Sequence, residues 1–441
     1  MSTIIACSTP LGHSGVAMIR ISGPKSWNIV EKMAPKARLK HSQAVVGTIR
    51  KEDQSLLDQV VLLAFKGPQS FTGLDTVEIS CHGNPLIIDA ILDLGISLGA
   101  RPARKGEFTR QAVENGKLSL LKAEALHEVI HAGSLDGIAL AQQGLAGKVD
   151  QHEEHLRQSL LEICAQLEAE MDYPQEDILV DSEEIIIEKL HQLSTQSYLA
   201  AQSYRENQIR LHGAKVALLG PVNAGKSSLF NHLVGMKRAI VSDRPGTTRD
   251  IVERRIFLDG LEVCFFDTAG ARFDSDDPIE NEGIQMGLEL AKEADLCLFL
   301  CPSHQNLGVI EELQEALSGI PSLLIATHID LNLNPSFAFD IAISNTTGQG
   351  ILELKNSIRT LLGSSENKEQ QWIALSQRQQ EIFYGIAEHI DIAIEALSGF
   401  LGPVVASEEL TQALEKTALL RGENAREMIL DQLFSMFCIG K

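Results

Sequence analysis

The sequence predicts a multidomain α/β protein with three parts: an α+β N-terminal domain, a discontinuous helical domain, and a P-loop domain inserted between the two helical segments. Three observations predict it. Residues 1–118 mix β-branched runs with turns, residues 213–363 alternate apolar strands with helices, and long helical periodicity fills 119–212 and 364–441. At 441 residues the chain has room for about three domains.

In residues 1–118, "STIIACS", "AVVGTI", "QVVLLAF" and "TVEISCHG" have strand composition, while "NPLIIDAILDLGISLGA" spaces its apolar residues as a helix does. From 119 to 212 the chain reads as long helices, with no proline before Pro174. Their charged stripes read as solvated faces. In 213–363, "KVALLG", "KSSLFNHLVG", "EVCFFDTAG", "ADLCLFLC", "SLLIATH" and "FAFDIAIS" follow one another, which implies a largely parallel sheet. The linker "GSSENKEQQ" (363–371) precedes the second helical segment, which ends the chain.

Composition narrows the class. Apolar residues make up 44% and charged residues 22%, as in globular proteins. The longest apolar runs, such as "LCLFLC" (296–301), are too short to span a bilayer, and the N-terminus has no signal-peptide pattern. A cytoplasmic protein with no membrane partner is expected. Seven scattered cysteines suggest reduced thiols; only Cys297 and Cys301 stand out by spacing, and no zinc site is expected. The net charge of −21 argues against nonspecific nucleic-acid binding over the whole surface. Arg101, Arg104, Lys105 and Arg110 crowd into "ARPARKGEFTR" (100–110). That strip reads as solvated surface ahead of an RNA contact.

The chemistry concentrates in the third part. "GPVNAGKSS" (220–228) follows an apolar strand, opens a helix and matches G-x-x-x-x-G-K-[ST]. Asn223, Ala224, Gly225, Lys226, Ser227 and Ser228 would cradle phosphates with backbone N–H groups, with Lys226 neutralising the β and γ phosphates and Ser227 ligating Mg2+. "RPGTTRD" (244–250) offers Thr247 and Thr248, a hydroxyl of which can reach Mg2+ and the γ-phosphate. "FFDTAG" (265–270) brings Asp267 for Mg2+ through water, then Thr268, Ala269 and Gly270, whose N–H is left for the γ-phosphate. Ala271 follows where Ras-like proteins carry a water-orienting glutamine nearby, so another group must orient the water. The acidic loop "DSDDPIENEG" (274–283) lies just downstream.

"LLIATHIDL" (323–331) falls where Asn-Lys-x-Asp would read guanine. Here the four residues are Thr327, His328, Ile329 and Asp330. Asp330 can still accept from guanine N1–H and N2–H2, a pairing that adenine cannot satisfy and that carries about 10⁴-fold discrimination in good cases. Losing the asparagine removes one hydrogen bond, of which Thr327 can recover part, and the flat ring of His328 can stack on the base. Guanine preference is expected to persist, with affinity down about tenfold.

With these motifs in place, the chain resembles the MnmE (TrmE) family of tRNA-modification GTPases over essentially its whole length. "TPLGHSGVAMIRISGP" (9–24), "SFTGLDTVEISCHGNP" (70–85), "GEFTRQAVENGKLSL" (106–120) and "FCIGK" (437–441) carry the resemblance. It implies a tetrahydrofolate-type N-terminal domain that forms a homodimer and binds 5-formyltetrahydrofolate or a related tetrahydrofolate through Arg20, Glu78, Lys117 and Lys441. It implies a Ras-like P-loop GTPase domain that dimerises across GTP, with K+ in the place of an arginine finger. Asn223 matches the family's K+ ligand. The loop Ser242, Asp243, Arg244, Pro245, Gly246, Thr247 and Thr248 would border GTP, with Ser242, Arg244 and Thr247 around K+ and Thr248 on Mg2+. Glu280, or else Glu282, would orient the attacking water. The family works with MnmG (GidA), an FAD-dependent partner, in a heterotetramer or larger assembly. Together they add an aminomethyl or carboxymethylaminomethyl group to C5 of the wobble uridine of tRNAs.

The sequence departs from the family at His13 and Ser14, at the guanine motif, and at Asn345, where the family's base loop reads Ser-Ala and this chain reads Ser344-Asn345. Two other readings compete: an Era-like ribosome-assembly GTPase, and a weakly hydrolysing GTP-binding scaffold.

Overall fold

The computed structural model describes residues 2–51, 53, 55–172, 181–221, 223–234, 252–258, 261–267, 289, 291–303, 307–331, 337–362, 373–399, 401–423 and 427–440. In chain order the first elements are β1 (Ile4–Cys7), β2 (Ser14–Ser22), α1 (Ser26–Met33), β3 (Ala44–Arg50), β4 (Leu56–Phe65), β5 (Thr76–Gly83), α2 (Pro85–Ser97), β6 (Arg101–Pro102) and α3 (Glu107–Glu114). Helices α4 (Leu120–His131), α5 (Leu135–Leu145), α6 (Lys148–Asp172) and α7 (Glu183–His212) follow. Then come β7 (Ala214–Leu219), α8 (Lys226–Val234), β8 (Val252–Leu258), β9 (Leu261–Asp267), β10 (Leu296–Pro302), α9 (Gly308–Ala316), β11 (Ser322–Thr327), β12 (Ile341–Ala342) and α10 (Ile351–Leu361). Helices α11 (Gln377–Ser398), α12 (Gly402–Arg421) and α13 (Glu427–Ser435) close the chain.

Two compact units emerge. The first joins Met1–His127, Asp150–Val180 and Phe400–Lys441; the second joins Glu128–Val149 and Asp181–Gly399.

The first unit holds a six-stranded sheet in the order β3-β4-β5-β2-β1-β6, antiparallel except where β6 lies parallel to β1. Along β2, Ala17, Ile19 and Ile21 are buried while their neighbours face the other way, the period-2 signature of a strand with one core face. They join Ile79, Leu62 and Ile88 in one core. The sequence reading did not single out β2, because the run opens on the turn residues of "TPLGHSG". Helix α2 starts where Asn84 accepts from Leu86 N–H at 2.9 Å and Pro85 takes the first turn, whose N–H groups have no helical partner.

The second unit holds a six-stranded sheet in the order β12-β11-β10-β7-β9-β8, parallel except for the β8–β9 hairpin. Leu229 and Phe230 of α8 and Leu354 and Ile358 of α10 share one core with it, and Ile310 and Leu313 of α9 share another. Cys297, Phe299 and Cys301 lie in the latter core. The odd spacing of the two cysteines is thus strand alternation, and burial pushes both thiols up to about 11. "FAFDIAIS" yields only the two residues of β12. Asp340 borders its start, its carboxylate accepting from Leu324 N–H at 2.7 Å and its own N–H donating to Leu324 O at 2.9 Å. In the same unit α7 and α11 are bridged by Asp391, which accepts from Ser194 at 2.6 Å and Tyr198 at 3.0 Å. Residues 363–371, read as a linker, lie outside the described residues. Among the described residues, no helix is long and apolar enough to cross a membrane.

Candidate functional site

The loop from β7 to α8 is built from backbone conformations that favour glycine. Gly220 has φ +148°, Gly225 φ +88° and Asn223 φ +66°. Side chains are thereby kept out of the turn, and α8 begins directly at Lys226. The first N–H groups of a helix lack partners within it, so they are available to an anion. Lys226 is 7% exposed, and its Nζ donates to Gly220 O at 2.6 Å and Pro221 O at 3.0 Å. The loop's own carbonyls thus satisfy a buried ammonium. Ala224 is buried, whereas Asn223, Ser227 and Ser228 are exposed.

Two further loops leave the ends of parallel strands in the same sheet. Thr327 ends β11, His328 takes φ +61°, and Ile329–Leu331 form a single 3₁₀ turn. Ser344, just past β12, donates from Oγ to Asp330 Oδ1 at 2.8 Å and accepts from the N–H groups of Thr346 and Thr347. The Ser344 hydroxyl, then Asp330's own backbone N–H, hold the Asp330 carboxyl below the usual range. At neutral pH it is an ionised acceptor, the form that two adjacent N–H donors of a base require.

The altered guanine motif is resolved in an unanticipated way. Thr327 is fully buried, and its hydroxyl has no hydrogen-bond partner among the described residues, so it makes no tie to the phosphate loop. The tie comes from Asn345, whose Nδ2 donates to Gly225 O at 3.1 Å. Sequence reasoning noted Asn345 only as a departure.

Several assigned residues lie outside the described ones: Ser242, Asp243, Arg244, Pro245, Gly246, Thr247, Thr248, Thr268, Ala269, Gly270, Glu280, Glu282 and Lys441. The backbone of Asp267 is described and ends β9.

A second constellation forms in the first unit. The β2–β5 register sets Arg20 opposite Glu78. Arg20 Nε and Nη2 donate to Glu78 Oε1 at 3.0 and 2.8 Å, and Nη1 donates to Gly440 O at 3.3 Å. Its guanidinium lies 6.0 Å from the Phe71 ring centre and 5.7 Å from that of Phe108. Arg20, Glu78 and Lys117 line one cavity of about 380 Å³ with Phe65, Phe71 and Thr76. The sequence reading gave Arg20 and Glu78 separate ligand contacts; in the structure each is also the other's partner. The C-terminal tail is docked by an Ile439–Lys105 bridge and by Ser8 Oγ, which donates to Gly440 O at 3.0 Å.

Among the described residues, two of the four members of the basic strip have acidic partners. Arg101 pairs with Glu107, and Arg110 pairs with Glu114 and Asp431.

Comparison with known proteins sets these sites in context. The family model described as "GTP-binding protein TrmE N-terminus" matches residues 3–117, and that described as "MnmE helical domain" matches residues 120–438. A relative named tRNA modification GTPase MnmE from Thermotoga maritima is 33% identical over 457 residues, covering 100% of both chains. One of the same name from Chlamydia felis is 36% identical over 445 residues, covering 100% of this chain and 99% of its own. Among solved structures, the G domain of the T. maritima FeoB iron transporter is 28% identical, covers 34% of this chain and 98% of its own, and has a TM-score of 0.28.

Proposed function

The chain belongs to the MnmE family of tRNA modification GTPases, and from that premise we propose that it is a K+-dependent GTP hydrolase acting, with an FAD-dependent MnmG-type partner, on C5 of the wobble uridine of tRNAs. The observation that carries the reading is the arrangement around Gly225. The Lys226 loop and the Asp330–Ser344 pair leave the carboxyl ends of parallel strands β7, β11 and β12, where open α/β sheets bind ligands. Asn345 joins the two loops directly.

Each described residue has a task in that reaction. Asp330 accepts from guanine N1–H and N2–H2, which selects guanine over adenine. The ring of His328 stacks on the base. The N–H groups at the start of α8 and the Lys226 ammonium hold the phosphates, with Lys226 exchanging its loop carbonyls for phosphate oxygens. The exposed Ser227 hydroxyl in the first turn of α8 fits a Mg2+ ligand, and the exposed Asn223 amide fits a K+ ligand. Bound there, the two cations neutralise charge on the phosphates. Glu280 is the carboxylate we assign to orienting the water.

The cavity at Arg20 fits a tetrahydrofolate. Lys117 and Arg20 supply cationic charge for its carboxylates, Phe71 supplies an aromatic wall, and Glu78, fixed by Arg20, accepts from pterin N–H groups. Lys441, the next residue in the chain after Gly440, is the fourth folate contact in this reading. Homodimerisation, a cytoplasmic setting and a tRNA substrate belong to the same proposal, with the partner supplying much of the tRNA contact to a chain of charge −21.

GTP and ATP hydrolysis by the purified protein in KCl and in NaCl tests the reading. Faster GTP turnover in KCl, with ATP left nearly untouched, is the expected result. Equal turnover of ATP would remove the guanine assignment, and equal rates in both salts would remove K+.

A further inference from the structure

We infer that Asn345 is a positioning residue: it ties the base-reading loop to the first turn of the phosphate-binding helix, so that base and phosphates are read by one hydrogen-bonded unit. The inference rests on Asp330 being the guanine acceptor.

Asn345 follows Ser344 directly, and Ser344 holds the Asp330 carboxylate at 2.8 Å. Its Nδ2 reaches Gly225 O at 3.1 Å, 120 residues away in sequence. The same carbonyl accepts from Leu229 N–H at 2.8 Å, the hydrogen bond that opens the α8 ladder. The tie therefore lands on the helix whose N-terminus faces the phosphates. The fit is close. A Cβ placed on Gly225 would stand 2.6 Å from Asn345 Nδ2 and 3.7 Å from His328 Nε2, so both base loops flank this glycine.

The sense of the amide is settled, because a carbonyl accepts only from a donor and Nδ2 must face Gly225. Oδ1 is consequently buried with no hydrogen-bond partner among the described residues. An unsatisfied buried acceptor is unfavourable and offsets what the Nδ2 bond contributes to folding. A small apolar residue would serve packing alone without that penalty. Thr327, at the head of the guanine motif, makes no hydrogen bond from its hydroxyl among the described residues, so Asn345 supplies the side-chain link that position does not.

The test uses the full-length protein and a fluorescent GDP analogue. Asn345→Ala is expected to weaken GDP binding about tenfold, the size of one net hydrogen bond. It should raise KM for GTP with kcat changed less than about twofold, since the tie acts on binding and not on the developing charge. Asn345→Asp is nearly isosteric and presents a carboxylate to the Gly225 carbonyl. Its GDP affinity should fall further than that of Asn345→Ala, because an acceptor then faces an acceptor where alanine only removes the donor. GDP binding equal to wild type in both variants overturns the inference. So does a loss in Asn345→Asp no larger than in Asn345→Ala, which would mean packing alone. A wild-type protein that binds no GDP overturns the guanine-site reading itself, and this inference with it.

Discussion

The two constellations are assembled in opposite ways. The nucleotide loop is contiguous: its glycines, its lysine and its helix start lie within residues 220–228, and the backbone itself makes most of the site. The Arg20 constellation is dispersed. Its members are residues 20, 78, 117 and 440, and only strand register and a docked tail bring them together. A contiguous site depends on local backbone conformation, whereas a dispersed one depends on tertiary packing. Substitutions should therefore fail differently in the two. Loss of one group in the loop removes chemistry and leaves the fold, while loss at the tail removes the geometry.

The largest effect is expected from Lys226→Ala. The ammonium is the charge that the loop carbonyls hold in place. Removing one such preorganised electrostatic group costs about 10²- to 10³-fold in turnover. Steady-state GTP hydrolysis should fall by that amount, while 5-formyltetrahydrofolate binding, measured by calorimetry, stays at the wild-type value. A parallel loss of both activities would break the contrast, because it would mean that the loop lysine also supports the other site.

Gly440→Val addresses the dispersed site. Gly440 has φ +93°, and a Cβ there would lie 2.5 Å from Cys7 O and 2.6 Å from Ser8 Cα. Neither backbone atom can swing aside as the end of a long side chain would. Strain of this kind costs about 1–3 kcal/mol, enough to displace the tail and strip Arg20 and Ser8 of the Gly440 carbonyl. Folate affinity should fall about 10- to 100-fold with kcat for GTP unchanged. Unchanged folate affinity would take the tail out of the site.

The same contrast governs what could be read from the sequence. "GPVNAGKSS" announces its chemistry because every part of it is adjacent, and Asp330 and Ser344 sit on short motifs at strand ends. Arg20, Glu78 and Lys117 carry no local signal; each is an ordinary surface charge until the β2–β5 register and the α3 end place them around one cavity, and only resemblance could single them out. Asn345 was missed for the same reason, since its partner is 120 residues away. Helical periodicity marks α6 and α7 as long helices with solvated charged stripes, but not what their other faces meet. These helices fall largely into different compact units, a fact of contact and not of local pattern. Strand β12 is shorter than its apolar run because Asp340, just before it, engages its carboxylate with Leu324 N–H and Ser344, just after it, turns to Asp330.

The smallest effect on function should come from a group that belongs to the first unit alone. Glu153, on α6, is 1% exposed, and burial raises its carboxyl from 4.5 to about 7. Arg421 opposes the rise and Glu154 adds to it, with Arg157 and Glu423 contributing less. Arg421 Nε stands 3.3 Å from Glu153 Oε1, yet neither atom is hydrogen-bonded among the described residues, so the pair only partly repays the burial. Below 4.5 the group is protonated whether the chain is folded or not. Between 4.5 and about 7 the folded chain keeps a proton that the unfolded chain has released, so stability falls as pH rises through that window. Above it the full penalty applies, about 3 kcal/mol from the size of the shift. Glu153→Gln removes the titration, and Arg421 keeps Glu154 and Glu423 at 3.5 Å. The variant should melt a few degrees above wild type at pH 8 and level with it near pH 4.5, as read by calorimetric scans at matched ionic strength. GTP turnover should be indifferent to the substitution at either pH, because Lys226 and Asp330 lie in the other compact unit. A variant that melts below wild type at pH 8 would show that the ionised Glu153–Arg421 pair outweighs the cost of burial.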